Sequence, residues 1–327
     1  MKVNTSKSLF RAVSPVWGFA LISACFSFTA NAQSDWQPSY LSDGQPNIMG
    51  MWNNVGATAT PLEMPEQFRG RVPSKEEIAE YISQQDESRK APKIDDGTSG
   101  VGGYGSEWYD WFWSDANADA PALIVDPPTG LRPALTEKGA AVRAANIRHE
   151  HDSAANVESG DRCLTRGIFG MMMPTAYNNG KLIVQSPGYV LIHSEMIHNA
   201  RIIPIDSAPH ASDKIKLWDG APRGHWEGNK LVVETKNFRY APNMRAPGTV
   251  WPGVPQHEGR RMVETFTFED PDTLRYTITV DDPETYTAPW TIAFPYVRDS
   301  DYDQYEYACH EGNYAMINRL GGAREQE

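Results

Sequence analysis

The length and composition of the chain are those of a folded globular protein. Its 327 residues suffice for one large domain or two closely packed ones, and 40% hydrophobic with 22% charged residues are ordinary values for such a chain. The 42 acidic against 30 basic residues give a formal net charge of -12, so no basic surface is expected to neutralise phosphates, and nucleic acid is excluded as an expected partner. The 24 prolines and 26 glycines favour short strands and long loops over helical bundles.

The chain begins with the features of an export leader. Three basic residues stand near its start: Lys2, Lys7 and Arg11. An uncharged, mostly apolar stretch follows from Ala12 to Phe28, and Ala30-Asn31-Ala32 supplies the small residues that a signal peptidase accepts. We therefore predict a signal peptide over residues 1–32, a mature start near Gln33, and a periplasmic or secreted protein.

The same residues allow two alternatives to simple removal of this leader. Ile22-Ser23-Ala24-Cys25 is similar to a lipoprotein processing site, which would leave the protein anchored by a lipid on Cys25. A retained transmembrane span is disfavoured, because Ser14 and Pro15 interrupt the apolar stretch and leave it shorter than a bilayer requires.

The cysteines agree with an oxidising compartment. If Cys25 is removed with the leader, Cys163 and Cys309 remain as an even pair. A disulfide is the prediction, with Cα atoms about 4.4 to 6.8 Å apart. The alternative is two buried free thiols, while a catalytic cysteine is disfavoured because neither lies in a nucleophile motif.

Residues 33–160 predict a mixed helix and loop region that packs on a second part of the chain. Ser74 and Glu77 form a capping box ahead of one short helix, and Thr136 precedes an alanine-rich helix from Glu137 to Arg148. Between them, the dense aromatic run that contains Trp111 and Trp113 is unusual for a linker and suggests the wall of a binding pocket.

After residue 160 the chain alternates between strand-like runs and turns. The runs are rich in β-branched and aromatic residues: Lys181 to Gln185, Tyr189 to His193, Ala200 to Ile205, Lys214 to Trp218, Gly224 to Trp226, Leu231 to Lys236, Met262 to Phe268, Leu274 to Val280 and Trp290 to Tyr296. Tight turns such as Glu227-Gly228-Asn229-Lys230 join them. Because a long meander must hide its edges, we predict that residues 161–327 close into a lipocalin-like antiparallel β-barrel.

Period-two alternation places one carboxylate in an apolar row. Glu264 shares a strand face with Met262, Phe266 and Phe268. It is a candidate general acid or base, or a ligand contact, inside a pocket. The alternative is a rim glutamate paired with an arginine: Arg260, Arg261 or Arg275. The next two strands have fully apolar faces, made by Leu274, Tyr276, Ile278, Val280, Trp290, Ile292, Phe294 and Tyr296.

Several histidines stand beside carboxylates. His193 and His198 flank Glu195, so a hairpin could assemble a zinc-like site, although His149 and His151 are equally available. No HExxH or CxxC pattern occurs, and we predict neither a metal nor another cofactor. GxSxG, SxxK and phosphate-loop patterns are also missing, which disfavours serine hydrolases and nucleotide-dependent enzymes.

Five blocks of the chain carry a family resemblance. They are PNIMGMW from residue 46, IVDPPTGLRPALT from 124, SEMIHNARIIPID from 194, RGHWEGNKLVVETKNF from 223 and YEYACHEGNY from 305. Together they resemble a family of exported bacterial proteins that has no established reaction or fold. The resemblance ranks one set of residues above His149, His151 and His257: His198, Arg201, Arg223, Trp226, Glu227, Tyr307, His310 and Glu311.

Two functional hypotheses follow. The first is an exported enzyme that acts on a small or medium organic molecule by cofactor-free acid/base chemistry: elimination, hydration, isomerisation or hydrolysis. Its proposed catalytic residues are His198, His310, Glu311 and Glu264, and its proposed substrate-binding residues are Arg201, Arg223, Trp226, Tyr307, Trp111 and Trp113. The alternative is a lipocalin-like binding protein for an apolar, aromatic or sugar ligand.

A single barrel pocket is central to the enzyme hypothesis. We expect His198, Arg201, Arg223 and His310 to line it together, because only a closed β fold could unite residues so far apart in sequence. The oligomeric state is left open.

Overall fold

Antiparallel strands dominate the computed structural model, which describes residues 36–90, 108–206, 208–244 and 253–325. The strands are β1 (Gly50–Asn53), β2 (Ile124–Asp126), β3 (Lys181–Ser186), β4 (Tyr189–Ser194), β5 (Asn199–Pro204), β6 (Ala221–Glu227), β7 (Lys230–Lys236), β8 (Arg261–Asp270), β9 (Thr273–Asp281) and β10 (Trp290–Arg298). The α-helices of this part of the chain are α1 (Lys75–Lys90), α2 (Glu137–Arg148), α3 (Gly167–Met172) and α4 (Ala315–Arg324). The predicted leader, with Cys25, lies outside the described residues.

Nine of the strands form a nearly closed barrel, which confirms the predicted mainly β, lipocalin-like architecture. Their order is β5-β4-β3-β1-β10-β9-β8-β7-β6, and β2 pairs with β10 beside this path. The first and last strands of the series approach each other where Ile205 forms a parallel bridge with Gly224. A side chain at Gly224 would overlap Ile203 and Ile205, so glycine lets the two edges meet.

The barrel interior is a packed core. The alternating faces predicted for β8, β9 and β10 are confirmed, since their inward side chains are almost completely buried. Aromatic rings contact one another across these strands, with Tyr276 lying 5.0 Å from Phe266 and 5.2 Å from Phe294 between ring centroids. The side chains therefore fill the space in which a lipocalin-like carrier would hold its ligand.

Two parts of the predicted strand pattern differ from the structure. The prediction of a strand from Lys214 to Trp218 is wrong, because this segment contains turns and forms only an isolated bridge from Leu217 to Phe238. The barrel also takes in β1, which precedes residue 160 and lies between β3 and β10. A four-residue strand is too short to produce a readable alternation, so only its pairing partners reveal it.

The two predicted helix starts are confirmed. The Glu77 carboxylate accepts from the Ser74 backbone amide, and the Glu77 amide donates to the Ser74 hydroxyl, as a capping box requires. At the start of α2, the Thr136 hydroxyl oxygen accepts a hydrogen bond from the Gly139 amide.

The predicted disulfide is also confirmed. Cys163 and Cys309 are bonded, with Cα atoms 5.6 Å apart. The bridge holds the C-terminal segment against the chain near residue 160, and Arg319 of α4 adds ion pairs with Glu150 and Asp161 there. Among the helices of the described ranges, none combines the length and apolarity needed to cross a membrane.

Candidate functional site

Arg201 and Glu264 meet inside the barrel. Their side chains form a bidentate ion pair with N–O distances of 2.8 and 2.5 Å, and the Tyr276 hydroxyl donates to the same carboxylate at 2.8 Å. Glu264 is 0% exposed and Arg201 is 5% exposed. The prediction that Glu264 belongs to an apolar row is thus correct, but the arginine that it binds is Arg201 rather than Arg260, Arg261 or Arg275. The two charges satisfy each other and lie within the packed core.

The histidines ranked highest by sequence are at the surface. His198 is exposed, and its Nδ1 lies 2.7 Å from the Tyr307 carbonyl oxygen. His310 and Glu311 are also exposed, in the turn before α4. The structure therefore does not place these imidazoles with Arg201, which is buried, in one enclosed pocket.

The remaining binding candidates lie in different surroundings. Arg223 is partly buried, donates to the Pro209 carbonyl at 3.3 Å and lies 3.9 Å from Asp206. The Trp226 indole donates to Gln45 at 3.0 Å. Tyr307 uses its backbone carbonyl to hold His198. Their contacts are with neighbouring parts of the fold.

The aromatic run contributes one wall of a cleft. Trp111 is partly buried and stacks on Tyr109, with centroids 5.0 Å apart. Trp113 is 78% exposed and lines the cleft described below.

The residues considered for zinc have other partners. His193 Nδ1 lies 2.9 Å from the Gln304 amide oxygen, and Glu195 accepts hydrogen bonds from Asn178 and Tyr302. Within the part of the chain that the structure describes, no group of three or more His, Cys, Asp or Glu side chains could hold a metal ion.

A different polar cluster lies where β3 begins and β4 ends. Lys181 is the first residue of β3 and pairs with Ser194 of β4 and Trp52 of β1. Its side chain points inward like that of Ile183 and is 2% exposed. Among the described residues, its ammonium group donates hydrogen bonds to the carbonyl oxygens of Asn179 at 2.9 Å and Gly180 at 3.4 Å. In the described chain no carboxylate is close enough to form an ion pair with it.

Burial changes the acidity of Lys181. Loss of water around the ammonium lowers the pKa of Lys181 from 10.5 to about 7, and the more distant negative charges of Glu195 and Asp110 oppose this shift. Lys181 can therefore exchange a proton near neutral pH.

Glu195 follows the last residue of β4 and is 1% exposed. Its two carboxylate oxygens accept from the Asn178 side-chain amide and from the Tyr302 hydroxyl, both at 2.6 Å. Burial raises the pKa of Glu195 despite these two donors. The group is thus held ready to accept a proton at a higher pH than an ordinary glutamate.

The turn before β3 orients the second carboxylate. Asn179 donates to one oxygen of Asp110 from both its backbone amide, at 3.0 Å, and its side-chain amide, at 2.9 Å. The neighbouring Asn178 adopts φ 56°, a left-handed conformation that asparagine tolerates and that turns its amide toward Glu195. Two consecutive asparagines thereby hold two different carboxylates.

Tyr302 connects this cluster to the outside. Its ring packs against Gly180, where a side chain would overlap the ring. Its hydroxyl donates to Glu195, and burial together with the nearby carboxylates raises the pKa of Tyr302, so the phenol keeps its proton. We name Lys181, Glu195, Tyr302 and Asp110 the rim cluster.

Two members of the rim cluster, Tyr302 and Asp110, border a cleft. The cleft has a volume of about 320 Å³ and is lined by Asn53, Val55, Gly56, Asp110, Trp113, Ser114, Asn117, Val297, Arg298, Asp299 and Tyr302. We call it the Tyr302 cleft. Its size is at the lower end of the range for small-molecule sites.

Arg89 of α1 joins two segments that line this cleft. Its guanidinium donates to the carbonyl oxygens of Val55 at 3.3 Å and Ser114 at 2.9 Å, which belong to two segments of the lining. It also binds Thr58 and pairs with Asp86. The helix therefore ties these two segments together although its own residues do not line the cleft.

Sequence reasoning missed most of the rim cluster. The alternation along Lys181 to Gln185 puts Lys181 on the same strand face as Ile183. Because Ile183 is apolar, this pattern could have predicted that Lys181 is buried. No comparable signal marks Tyr302, because it lies in an irregular segment whose proximity to Glu195 arises only from the fold.

The fold and this cluster describe an antiparallel β-barrel protein with ionisable side chains buried beside a small cleft at the end of β3. The chain matches no protein-family model, and no curated protein matches it.

Proposed function

We propose that the protein is an enzyme that moves a proton on a small organic molecule bound in the Tyr302 cleft, using its own side chains. The observation that carries the proposal is the hydrogen bond of 2.6 Å from Tyr302, which lines the cleft, to Glu195, which is buried behind it. Ionisable groups with perturbed pKa values beside a cleft are typical of catalytic sites.

Three members of the rim cluster, Tyr302, Glu195 and Lys181, have distinct roles in this proposal. A substrate proton passes to the Tyr302 oxygen as the Tyr302 proton passes to Glu195, which leaves a neutral glutamic acid and a substrate anion. The raised pKa of Glu195 favours this transfer. Lys181 supplies positive charge behind the carboxylate when protonated, and Asn178 fixes its orientation. Return of the proton to another substrate atom gives isomerisation, and loss of a leaving group gives elimination.

The packed barrel argues against the alternative of a lipocalin-like carrier. Such a carrier holds its ligand within the barrel, where this protein places Trp52, Tyr276, Phe294 and their neighbours. The Tyr302 cleft instead lies against the ends of β1 and β10 and the segment around Trp113.

The test begins with a mixture of small metabolites incubated with the purified protein. Mass spectrometry then identifies compounds that are retained and compounds that are altered. We expect an altered compound whose turnover is abolished in Tyr302→Phe and Glu195→Gln, while Tyr305→Phe, a neighbouring exposed tyrosine, retains turnover. Turnover by the wild type should rise with pH through a pKa above that of an ordinary glutamate.

The same experiment can overturn the proposal. A compound that is retained unchanged by the wild type, with no product in any fraction, favours a binding protein. Turnover that persists in both Tyr302→Phe and Glu195→Gln contradicts the proton path.

We further propose that the protein is exported to an oxidising compartment. The Cys163–Cys309 disulfide supports this location, and the leader-like residues 1–32 predict the route. N-terminal sequencing of the protein from cell fractions should find Gln33 in periplasmic or secreted material. An intact Met1 or a lipid on Cys25 would contradict the predicted processing.

A further inference from the structure

We propose that the molecule bound in the Tyr302 cleft carries an ammonium group. This inference rests on the proposed function, since it describes the substrate of the same cleft. It follows from which polar atoms of the cleft already form hydrogen bonds within the protein and which remain available to a ligand.

The strong hydrogen-bond donors of the cleft are committed to the protein. Arg298 donates to the carbonyl oxygens of Met49 at 3.0 Å and Pro271 at 3.3 Å and forms an ion pair with Asp272. Its guanidinium also lies 4.2 Å from the centre of the Trp52 ring. The Tyr302 hydroxyl donates to Glu195. An anionic substrate group would therefore have to compete with these bonds.

The carboxylate acceptors are only half used. Asp110 receives both hydrogen bonds from Asn179 on Oδ2, and Asp299 receives its bond from Asn53 on Oδ2 at 3.3 Å. Among the described residues no donor reaches the Oδ1 atom of either aspartate. Two negatively charged acceptors of the lining thus remain available, whereas the positive charge of Arg298 is balanced by Asp272.

Trp113 points independently to a cation. Its indole lines the cleft and is largely exposed, although burial is the usual state of so large an aromatic ring. An indole face beside carboxylates attracts an organic cation through the ring quadrupole as well as through charge.

An ammonium group suits this lining better than a metal ion. The aspartates do not belong to any group of three or more metal-ligating side chains within the described chain. The side-chain amide of Asn117 completes the polar lining and can contact either a donor or an acceptor elsewhere on the same ligand.

Three aromatic probes of similar size and different charge test the charge preference. Benzylammonium, benzyl alcohol and benzoate are titrated into the full chain by calorimetry at neutral pH and low salt, with indole NMR signals as a second readout. Benzylammonium should bind roughly tenfold more tightly than benzyl alcohol, and benzoate should bind most weakly. Added salt should weaken the binding of benzylammonium and leave that of benzyl alcohol unchanged.

Variants locate the binding. Asp299→Asn and Trp113→Ala should each weaken benzylammonium binding by roughly three- to tenfold. Asp301→Asn, which removes a neighbouring exposed carboxylate outside the lining, is the matched control and should bind as the wild type does. Trp113→Ala keeps the test valid if Asp299→Asn fails to fold, because Trp113 is at the surface.

The outcomes separate this inference from the proposed function. Equal binding of benzyl alcohol and benzylammonium, or wild-type affinity in both cleft variants, overturns the ammonium preference. Tyr302→Phe should retain benzylammonium binding. If the wild type prefers the amine but turnover does not depend on Tyr302, only the proposed proton path is contradicted. Tyr302-dependent turnover of a neutral or anionic compound would contradict only the ammonium preference.

Discussion

Arg201 with Glu264, and Lys181 with Glu195, are two sets of buried opposite charges in one barrel, but their surroundings differ. Arg201 and Glu264 contact each other directly through two hydrogen bonds in the packed core. Lys181 and Glu195 instead bind separate neutral partners, and Glu195 is connected to a cleft through Tyr302.

This difference separates a structural role from a chemical one. A directly paired carboxylate and guanidinium stabilise each other's charged forms and gain nothing by exchanging a proton. A lysine and a glutamate that are buried without direct pairing have pKa values displaced toward neutrality, as the lowered pKa of Lys181 and the raised pKa of Glu195 show. Four measurements can break or sharpen the distinction.

The largest expected effect is the loss of the core ion pair. Glu264→Gln leaves the Arg201 charge buried without its counterion and should lower the free energy of unfolding by about 3 to 5 kcal/mol. Urea denaturation measures this loss. Removing both charges in Arg201→Met with Glu264→Gln should restore part of it, because no unpaired charge then remains.

An exposed ion pair supplies the control. Lys216 and Glu258 lie 3.5 Å apart near the surface, and Glu258→Gln should change the unfolding free energy by less than about 1 kcal/mol. A similar small effect of Glu264→Gln would show that the core pair does not stabilise the barrel.

Loss of the disulfide should destabilise the segment that carries Tyr302 more than it destabilises the barrel core. Cys163→Ser with Cys309→Ser removes the bridge that holds the segment after Tyr302, at an expected cost of about 2 to 5 kcal/mol. We expect hydrogen exchange to increase first in residues 302–314 and later in β8 and β9. Uniform loss of protection across the barrel would contradict this separation.

Lys181 should make stability depend on pH. Its pKa is about 7 in the folded protein and 10.5 as an ordinary lysine, so between these values the unfolded chain binds a proton that the folded chain has released. Stability from this group therefore rises as pH increases from about 7 toward 10, with a slope of at most about 1.4 kcal/mol per pH unit.

Lys181→Met isolates this contribution, since it removes the charge and keeps an unbranched side chain. Urea unfolding of the wild type and the variant at several pH values should give two curves that converge as pH rises. Parallel curves would mean that Lys181 keeps its ordinary pKa in the folded protein.

Apart from the exposed control pair, the smallest expected change in stability is that of Tyr302→Phe. The variant loses one hydrogen bond to a carboxylate, which should cost roughly 1.5 kcal/mol. Because this donor lowers the pKa of Glu195, its loss should raise that pKa further. Carboxyl NMR of isotope-labelled glutamate measures the pKa of Glu195 in the wild type and the variant. The control Tyr305→Phe should leave the pKa of Glu195 unaltered. An unchanged pKa of Glu195 in Tyr302→Phe would show that Tyr302 does not act on this carboxylate.

Local patterns in the sequence were sufficient to predict most of the strands, the starts of two helices and the pairing of the two cysteines. The alternation along β8 to β10 and the capping residues Ser74 and Thr136 act over a few neighbouring positions, so they can be recognised without the fold. Because only two cysteines follow the predicted leader, one intramolecular pairing was left.

Only the tertiary structure decided which charges meet. Glu264 is 63 residues from Arg201, and Tyr302 is 107 residues from Glu195, so no local pattern relates the partners. Barrel closure buries Arg201 beside Glu264 and leaves His198 and His310 outside, whereas the packing of Tyr302 on Gly180 brings its hydroxyl to Glu195. The physical reason is that side-chain type and strand face are local properties, while ion pairing and pKa depend on distances and water exclusion set by the whole chain.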